Sequence, residues 1–361
     1  MVATDNYLYG VAVQGIQNFI FQTNKLKDIV GASELVEEIC TTLFASTLYD
    51  EDIDYNVARS RLKEDERAVL FAAGNIKYIF QSWEECERVA RVFPQKVALF
   101  APGVTVSQAV VKMGGDKSTF GTAVSLLENR LRVQRNRPIR SQTLGLMGIL
   151  RSRQTGLPVV DVVKGDYCDA AKLAKLRSVD TGTGKSVDRK TTLNLCKKAF
   201  GLEDLLKTDI ANDIEKLTKD NDWIAVIHAD GNGLGQIVKK VGKDAEDFKL
   251  FSQNLDEATT SAAVTAFQRV VCPSDKEVIP VRPIVLGGDD LTIVCRADLA
   301  LAYTKAFIEE FEKETKGRLG ELIRKYEVFV EDKNYLTACA GIAYIKSSYP
   351  FYYGYELAES L

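Results

Sequence analysis

The chain has 361 residues, of which 46% are hydrophobic and 27% charged, and its net charge is −3. This length predicts two domains, and the charge excludes an overall basic field that would draw the chain to nucleic acid. His228 is the one histidine, which excludes metal sites built from several histidines. Seven cysteines without a Cys-x-x-Cys pair, no signal-peptide pattern and no apolar run of about 18 residues predict a cytoplasmic protein with free thiols and no membrane attachment.

The N-terminal third is predicted to run strand, helix, strand, strand, helix, strand. In the first helical stretch, apolar residues recur at steps of three and four. Ser82 is a candidate cap for the second helix, with Glu85 three residues further on. The elements are a strand at 7–13, a helical stretch at 17–40, two strands within 68–80, a helix at 83–92 and a strand at 104–111. This order is that of a ferredoxin-like unit.

The same order returns in the C-terminal third, which predicts a duplication. Its elements are a strand at 223–229, a helical region at 244–271, a strand pair within 278–296, a helix at 297–313 and a strand at 335–345. The predicted class is therefore α+β, with two ferredoxin-like domains joined by a partly helical insert. The predicted boundaries are 1–113, 114–220 and 221–361.

The two copies can be laid over each other, and the acidic positions of the second are uncharged in the first. VAVQG (11–15) overlays IHADG (227–231), which puts Gln14 on Asp230. LFAAGNI (70–76) overlays VLGGDDL (285–291), and there Gly74 and Asn75 take the places of Asp289 and Asp290. We infer that the first copy keeps the fold and cannot hold metal ions.

The strongest motif pair is ADGNG (229–233) with LGGDDL (286–291). In this fold, a carboxylate at the end of the first strand and another at the tip of the neighbouring hairpin lie side by side. Two divalent cations such as Mg²⁺ or Mn²⁺ are bound by carboxylates in phosphoryl-transfer sites. The predicted catalytic and metal-binding residues are Asp230, Asp289 and Asp290, and the predicted phosphate-binding residues are Gly231, Asn232, Gly233, Gly287 and Gly288. The alternative, that GGDD is only a hairpin turn, is disfavoured by the upstream DGNG and by the uncharged duplicate.

Three further motifs have competing interpretations. TGTGKS (181–186) resembles a P-loop, but Val179 stands where that motif needs glycine, which favours an exposed loop. The basic run 130–140 is either a phosphate-binding surface or the solvated face of a helix. The tyrosine-rich segment 349–355 either stacks a base or packs in a core or interface.

Three segments resemble the large polymerase-like subunit of type III CRISPR effector complexes, the cyclic oligoadenylate synthase family. They are VAVQGIQNFIFQTNKLKDIVGAS (11–33), HADGNGLG (228–235) and VLGGDDLTIVC (285–295). The resemblance implies two palm domains, of which only the second carries GGDD. It also implies ATP as substrate, with cyclic oligoadenylates made when target RNA is bound, or AMP joined to S-adenosylmethionine in one branch. The implied partners are the subunits of a guide-RNA effector complex and the target RNA.

The sequence departs from that family in three places. Many members begin with a histidine-aspartate nuclease domain, whereas this sequence starts at the first palm and has one histidine. RSRQTGLP (151–158) resembles the end of the family's zinc knuckle without its cysteines, so no zinc is expected. The sequence ends in ELAESL, inside a predicted helix, which predicts an incomplete C-terminal part.

The sequence thus predicts a metal-dependent nucleotidyltransferase acting on ATP in antiviral defence. One alternative is a GGDEF-like cyclase using GTP. The other is a non-catalytic scaffold subunit that binds guide RNA.

Overall fold

The computed structural model describes residues 5–72, 74–114, 119–137, 147–163, 165–179, 193–202, 205, 210–211, 213–218, 222–271, 278–328 and 333–361. The first repeat contains β1 (Asn6–Gln14), α1 (Ile16–Ile20), α2 (Leu26–Glu38), a π-helical turn (Ile39–Leu43), α3 (Phe44–Tyr49), α4 (Tyr55–Glu64), β2 (Ala68–Ala72), β3 (Asn75–Phe80), α5 (Trp83–Phe100) and β4 (Thr105–Met113). Its strands form an antiparallel sheet in the order β2-β3-β1-β4. This is the ferredoxin-like arrangement that the element order predicts.

The second repeat has the same sheet. It contains β7 (Trp223–Gly231), α9 (Leu234–Val241), α10 (Ala245–Val270), β8 (Val281–Gly287), β9 (Asp290–Arg296), α11 (Ala300–Lys325), β10 (Ala338–Lys346) and α12 (Phe351–Glu359). Its antiparallel sheet has the order β10-β7-β9-β8, which matches the first repeat strand for strand. The predicted α+β class with two ferredoxin-like repeats is confirmed.

The described part of the insert packs on both repeats. It contains α6 (Phe120–Arg135), the short hairpin β5 (Asp161–Val163) and β6 (Asp166–Cys168), α7 (Ala170–Val179), α8 (Asn194–Phe200) and a 3₁₀ turn (Ile214–Leu217). Helix α6 covers β1 and β4, α7 packs along α2, and α8 lies against α10 and β8. In the part of the chain that the structure describes, no helix is both long and apolar enough to cross a membrane.

Two hydrophobic clusters form the core, and each contains residues of both sheets. Side chains alternate between the two faces of a strand, so neighbouring residues of β1 enter different clusters. Leu8 packs in one cluster with Phe267 of α10. Tyr9 packs in the other with Phe351 of α12. The two repeats therefore share their interior.

Several helices differ from the predictions, among them α11, which runs to Lys325 where the sequence predicts an end at 313. Between the first helical stretch and the first hairpin, where the sequence predicts no element, lies α4, which is short and polar and buries only Ala58 and Leu62. So narrow an apolar stripe gives little periodic signal. Helix α5 continues past Pro94 to Phe100, because Phe93 and Val97 are both buried.

Candidate metal centre

The β8–β9 hairpin places two carboxylates at one end of the second sheet. Gly287 pairs with Asp290, so the turn consists of Gly288 and Asp289. Gly288 has a φ of 62°, a left-handed conformation that glycine adopts without steric strain. Its carbonyl accepts a hydrogen bond from Thr259 Oγ1 of α10 at 2.6 Å, which holds the turn on that helix.

The third carboxylate comes from the end of the central strand β7. Ala229 pairs with Leu291, so the next residue, Asp230, comes beside Asp290. One carboxylate oxygen from each of Asp230, Asp289 and Asp290 lies within 4.8 Å of the other two. A Cβ at Gly231 would come 2.9 Å from Asp289 Cβ, so glycine is what allows the hairpin tip to approach β7.

Burial and mutual repulsion disfavour full ionisation of this cluster. Burial, followed by the hydrogen bond and charge of Asp230, raises the pKa of Asp289 to about 7. Burial, followed by the charges of Asp289 and Asp230, raises the pKa of Asp290 to about 8. A divalent cation would offset this repulsion, and carboxylate oxygens are the ligands that Mg²⁺ and Mn²⁺ prefer. The donor set therefore fits such ions.

The strand that leads into the hairpin is held along its outer edge. Strand β8 is an edge strand, and its register shifts between Pro283 and Val285, which makes Ile284 a bulge. Edge strands expose carbonyls without a partner in the sheet. Here such carbonyls accept hydrogen bonds from two elements outside the second repeat: Ser33 Oγ of α2 donates to the Ile284 carbonyl, and Lys198 Nζ of α8 donates to the Leu286 carbonyl at 3.2 Å.

Lys198 also belongs to a buried chain of charges. Its Nζ lies 2.8 Å from Asp256 of α10, which in turn lies 2.7 Å from Arg59 of α4. Burial opposes the ionisation of Asp256, yet Lys198 and Arg59 keep its pKa below the usual value. One ion network thus joins the first repeat, the insert and the strand of the candidate metal site.

Two of the three carboxylates, Asp230 and Asp290, face the first repeat across a cleft of about 560 Å³, and Asp289 is not among the residues that line it. Asp230, Asp290 and Gly287 line one wall, and Gln14 and Gln17 are among the residues of the other. His228 also lines the cleft, half-buried, and its Nδ1 lies 3.0 Å from Thr292 Oγ1. Burial lowers the pKa of His228, which favours its neutral form.

The last helix, α12, closes one side of the cleft. Tyr355 stacks on Phe21 of the first repeat with ring centroids 4.2 Å apart. Gln17 Nε2 donates to Tyr355 Oη at 2.8 Å and to Glu359 Oε1 at 2.9 Å. Part of the tyrosine-rich segment therefore packs in the interface, whereas Tyr349, Tyr352 and Tyr353 are exposed.

Not every predicted site residue faces the cleft. Gly233 starts α9 with a φ of 74°, and the amide of Asn232 is bound to Thr337 Oγ1 at 3.1 Å. From the basic run, Arg135 lines the cleft, whereas 138–140 lie outside the described residues. TGTGKS (181–186) lies outside them as well. Sequence patterns gave no signal for the contacts of Ser33 and Lys198, because these contacts depend on tertiary packing.

The corresponding hairpin of the first repeat has a different register. Ala72 pairs with Asn75, as Gly287 pairs with Asp290, so Asn75 does take the place of Asp290. Its neighbour on the central strand, however, is Ala12. When the turns are matched, Ala12 rather than Gln14 occupies the place of Asp230, which corrects the sequence overlay by two residues. A shift of two preserves the side-chain face, so sequence pattern alone could not detect it.

Comparison with known proteins agrees with this geometry. Residues 223–361 match the family model of the Cas10/Cmr2 second palm domain. The chain is similar to the apo Csm1–Csm4 cassette (16% identity, TM-score 0.60) and to that cassette in complex with cA4 (13%, 0.59). Each match covers 99% of this chain and 52% of the matched chain, so this chain spans about half the length of the chains that it matches. No curated protein sequence matches the chain.

The fold and the site define a two-palm protein with a cluster of three carboxylates on its second palm. Residues 223–361 are similar to the Cas10/Cmr2 second palm domain, and the chain as a whole has the fold of the Csm1–Csm4 structures that it matches. The two repeats are accordingly called the first and second palms below.

Proposed function

We propose that this chain is a metal-dependent nucleotidyltransferase that makes a cyclic or conjugated adenine-nucleotide second messenger from ATP in type III CRISPR defence. The observation that carries the proposal is the cluster of Asp230, Asp289 and Asp290, of which Asp230 and Asp290 line a cleft whose opposite wall is the first palm. Csm1–Csm4 structures in complex with one ATP, with pppApA and with cA4 share this fold and support the choice of substrate.

The side chains of the cleft have separable roles in this reaction. In this proposal Asp230 and Asp289, which belong to one carboxylate cluster, flank the place of an attacking 3′- or 2′-hydroxyl. The glycine backbone at Gly287, which lines the cleft, leaves room for a triphosphate. Bound divalent cations would supply charge neutralisation and a lowered hydroxyl pKa. The hydroxyl oxygen attacks an α-phosphate in line, and pyrophosphate leaves. No side-chain nucleophile is required, so positioning accounts for much of the rate.

The first palm provides the wall for the second nucleotide. Its contribution to the cleft includes the amides of Gln14, Gln17 and Asn18. Amides can bind ribose or base edges without competing for cations. We also propose that effector-complex subunits, guide RNA and target RNA act on this chain as its partners. The likeness to Csm1 of a Csm1–Csm4 subcomplex supports this part of the proposal.

The test is incubation of the full chain with labelled ATP or GTP and Mg²⁺ or Mn²⁺, with and without a target-bound guide-RNA complex. We expect pyrophosphate release and adenylate products with ATP, and their loss in the Asp289→Ala/Asp290→Ala variant. The matched control is Asn75→Ala in the first palm, which should retain the product. Product from GTP alone would favour a GGDEF-like cyclase, and no product with either nucleotide under all conditions would favour a scaffold.

A further inference from the structure

A buried lysine of the insert, Lys175 of α7, reaches into the first palm. Its Nζ donates hydrogen bonds to the Phe19 carbonyl at 2.6 Å and to Gln22 Oε1 at 3.2 Å. The same Nζ lies 4.2 Å from the centroid of the Phe19 ring, within the range of a cation–π contact. This one side chain therefore joins the insert to the last turn of α1.

Helix α1 depends on contacts of this kind for its position. It has five residues, Ile16–Ile20, and helices this short are marginal without tertiary support. The last carbonyls of a helix have no partner within it, and the helix dipole favours a positive charge at that end. Because Phe19 lies in the last turn of α1, Lys175 supplies both a hydrogen-bond donor and a positive charge there.

Close packing of α7 on α2 fixes the backbone of Lys175. A Cβ at Gly31 of α2 would collide with the Lys175 carbonyl oxygen, so glycine is what allows the two helices to meet at this point. Burial lowers the pKa of Lys175 to about 8, whereas the charges of Asp28 and Asp169 act in the opposite direction. An ammonium group is therefore kept here against a desolvation cost, which is typical of side chains that are arranged for function.

On its other side, α1 is joined to the second palm. Gln17 Nε2 donates to Tyr355 Oη at 2.8 Å and to Glu359 Oε1 at 2.9 Å. The ring of Tyr355 meets that of His228 edge to face, with centroids 5.4 Å apart. His228 precedes Asp230 by two residues on β7, so both side chains lie on the same face of that strand. A continuous series of contacts thus runs from the insert through α1 and α12 to the candidate metal centre.

We propose that Lys175 is a positioning residue, which holds α1 in place so that Gln17 keeps α12 closed on the first palm. Lys175 is not among the residues that line the cleft, so it acts through other side chains and not on a nucleotide. The effect on catalysis rests on the proposed function, because the reaction takes place in the cleft that α12 closes. The inference gives the insert a part in that reaction.

The first experiment measures hydrogen exchange of backbone amides in the metal-free full chain, and it needs no catalysis. The N–H groups of Phe19 and Phe21 are bonded within the turn that Lys175 holds. Lys175→Met keeps the length of the side chain and removes the ammonium group, so exchange at these amides should become about tenfold faster. The amides of α12 should respond in the same direction, because Gln17 transmits the change. Lys175→Arg, which keeps a charged donor, should restore part of the protection.

The matched control is Lys172→Met, one turn earlier on α7. Lys172 is also buried, but its Nζ lies 3.3 Å from Asp166 of the insert hairpin and not on α1. Exchange in α1 and α12 should therefore stay as in the wild-type chain. Equal exchange in Lys175→Met, Lys172→Met and wild type would overturn the inference.

The second experiment tests whether Lys175 acts through Gln17. We expect kcat/KM for nucleotidyl transfer from ATP with Mn²⁺ to fall about tenfold in Lys175→Met and about tenfold in Gln17→Leu. The double variant should fall no further than Gln17→Leu, whereas independent roles would multiply to about a hundredfold. Mn²⁺ affinity should stay unchanged in all three variants, since none of them alters an aspartate of the cluster.

The two experiments distinguish failure of this inference from failure of the proposed function. Faster exchange in α1 and α12 of Lys175→Met, without nucleotidyl transfer by the wild-type chain, would refute the proposed function and leave the positioning by Lys175 supported. Nucleotidyl transfer that is unchanged in Lys175→Met, or that falls about a hundredfold in the double variant, would refute the action of Lys175 through Gln17 and leave the proposed function standing.

Discussion

The two palms end their central hairpins in the same way and differ in what the hairpin carries. Each turn is closed by one residue pair, Ala72 with Asn75 in the first palm and Gly287 with Asp290 in the second. The first hairpin carries the side-chain amide of Asn75. The second hairpin brings together the carboxylates of Asp289 and Asp290, whose pKa values are raised. The comparison shows that the fold does not require the acidic cluster and is destabilised by it. Such a cost is expected where side chains are arranged for function.

The largest expected effect is the loss of Mn²⁺ binding when an aspartate of the second palm is replaced. Replacing Asp230, Asp289 or Asp290 by Asn removes a charged ligand, so each change should weaken Mn²⁺ binding by about 2–4 kcal/mol. We expect adenylate synthesis to fall by roughly a thousandfold in each variant. Calorimetry with Mn²⁺ and product assays measure the two effects.

A change at the corresponding hairpin of the first palm supplies the control. Asn75→Ala should leave Mn²⁺ affinity as it is, and Mn²⁺ anomalous scattering should appear beside Asp289 and not beside Asn75. Mn²⁺ affinity that is unchanged in all three aspartate variants would disprove the metal site.

The next largest effect concerns the ion network that joins the palms through the insert. Lys198→Met leaves Arg59 as the ion-pair partner of Asp256 among the described residues and removes the donor to the Leu286 carbonyl. Breaking a buried ion pair in this way should cost about 3 kcal/mol in the free energy of unfolding. Urea denaturation measures it, with Lys197→Met as the neighbouring control. Equal stability of the two variants would show that the network does not hold the palms together.

The next substitution should raise the stability of the chain rather than lower it, because it removes repulsion between neighbouring carboxylates. The pKa of Asp290 in the folded chain, about 8, lies above its usual 3.8. Between these values the unfolded chain binds fewer protons than the folded chain, so the stability of the metal-free protein falls as pH rises. Asp290→Asn should therefore stabilise the metal-free chain at pH 8.5, with little change near pH 4. Melting curves in EDTA at the two pH values test this. A variant that is less stable than wild type at pH 8.5 would contradict the electrostatic account.

The smallest effect concerns the contact of the first palm with the β8 bulge. Ser33→Ala removes the donor to the Ile284 carbonyl and should cost about 1 kcal/mol of stability, the usual net value of such a hydrogen bond. Ser125→Ala, on the exposed side of α6, is the control and should stay within about 0.5 kcal/mol of wild type. Thermal denaturation measures the stability of the two variants. Equal stability would show that Ser33 does not help to hold the hairpin.

Local patterns predicted the parts of this structure that have local causes. Strand alternation and turn residues predicted both hairpins, and the motif spacing predicted that Asp230 would meet Asp289 and Asp290. Side chains that donate hydrogen bonds to an edge strand produce no periodic pattern in the sequence. The roles of Ser33 and Lys198 could therefore not be predicted from such patterns. The same applies to Arg135, whose place at the cleft depends on how α6 docks on β4.

The register of the central strand in the first palm is another feature that the sequence could not predict. The sequence overlay matches glycines and acidic residues along the chain, and it aligns the turns correctly. How far the central strand extends past the turn is decided by pairing across the sheet. Ala12 and Gln14 have the same face and similar surroundings in sequence, so only the paired strands distinguish them.

The shared interior has a consequence for how the chain can unfold and be divided. Leu8 and Tyr9 are adjacent on one strand, yet they anchor clusters that each extend into the other palm. Neither palm can then lose its packing without exposing apolar surface on its partner, which makes unfolding of the described core cooperative. The second palm is thus not a transferable module. A catalytic segment grafted alone onto another protein would carry half of two cores, and it would need apolar surface to replace the first palm before it could hold its hairpin in place.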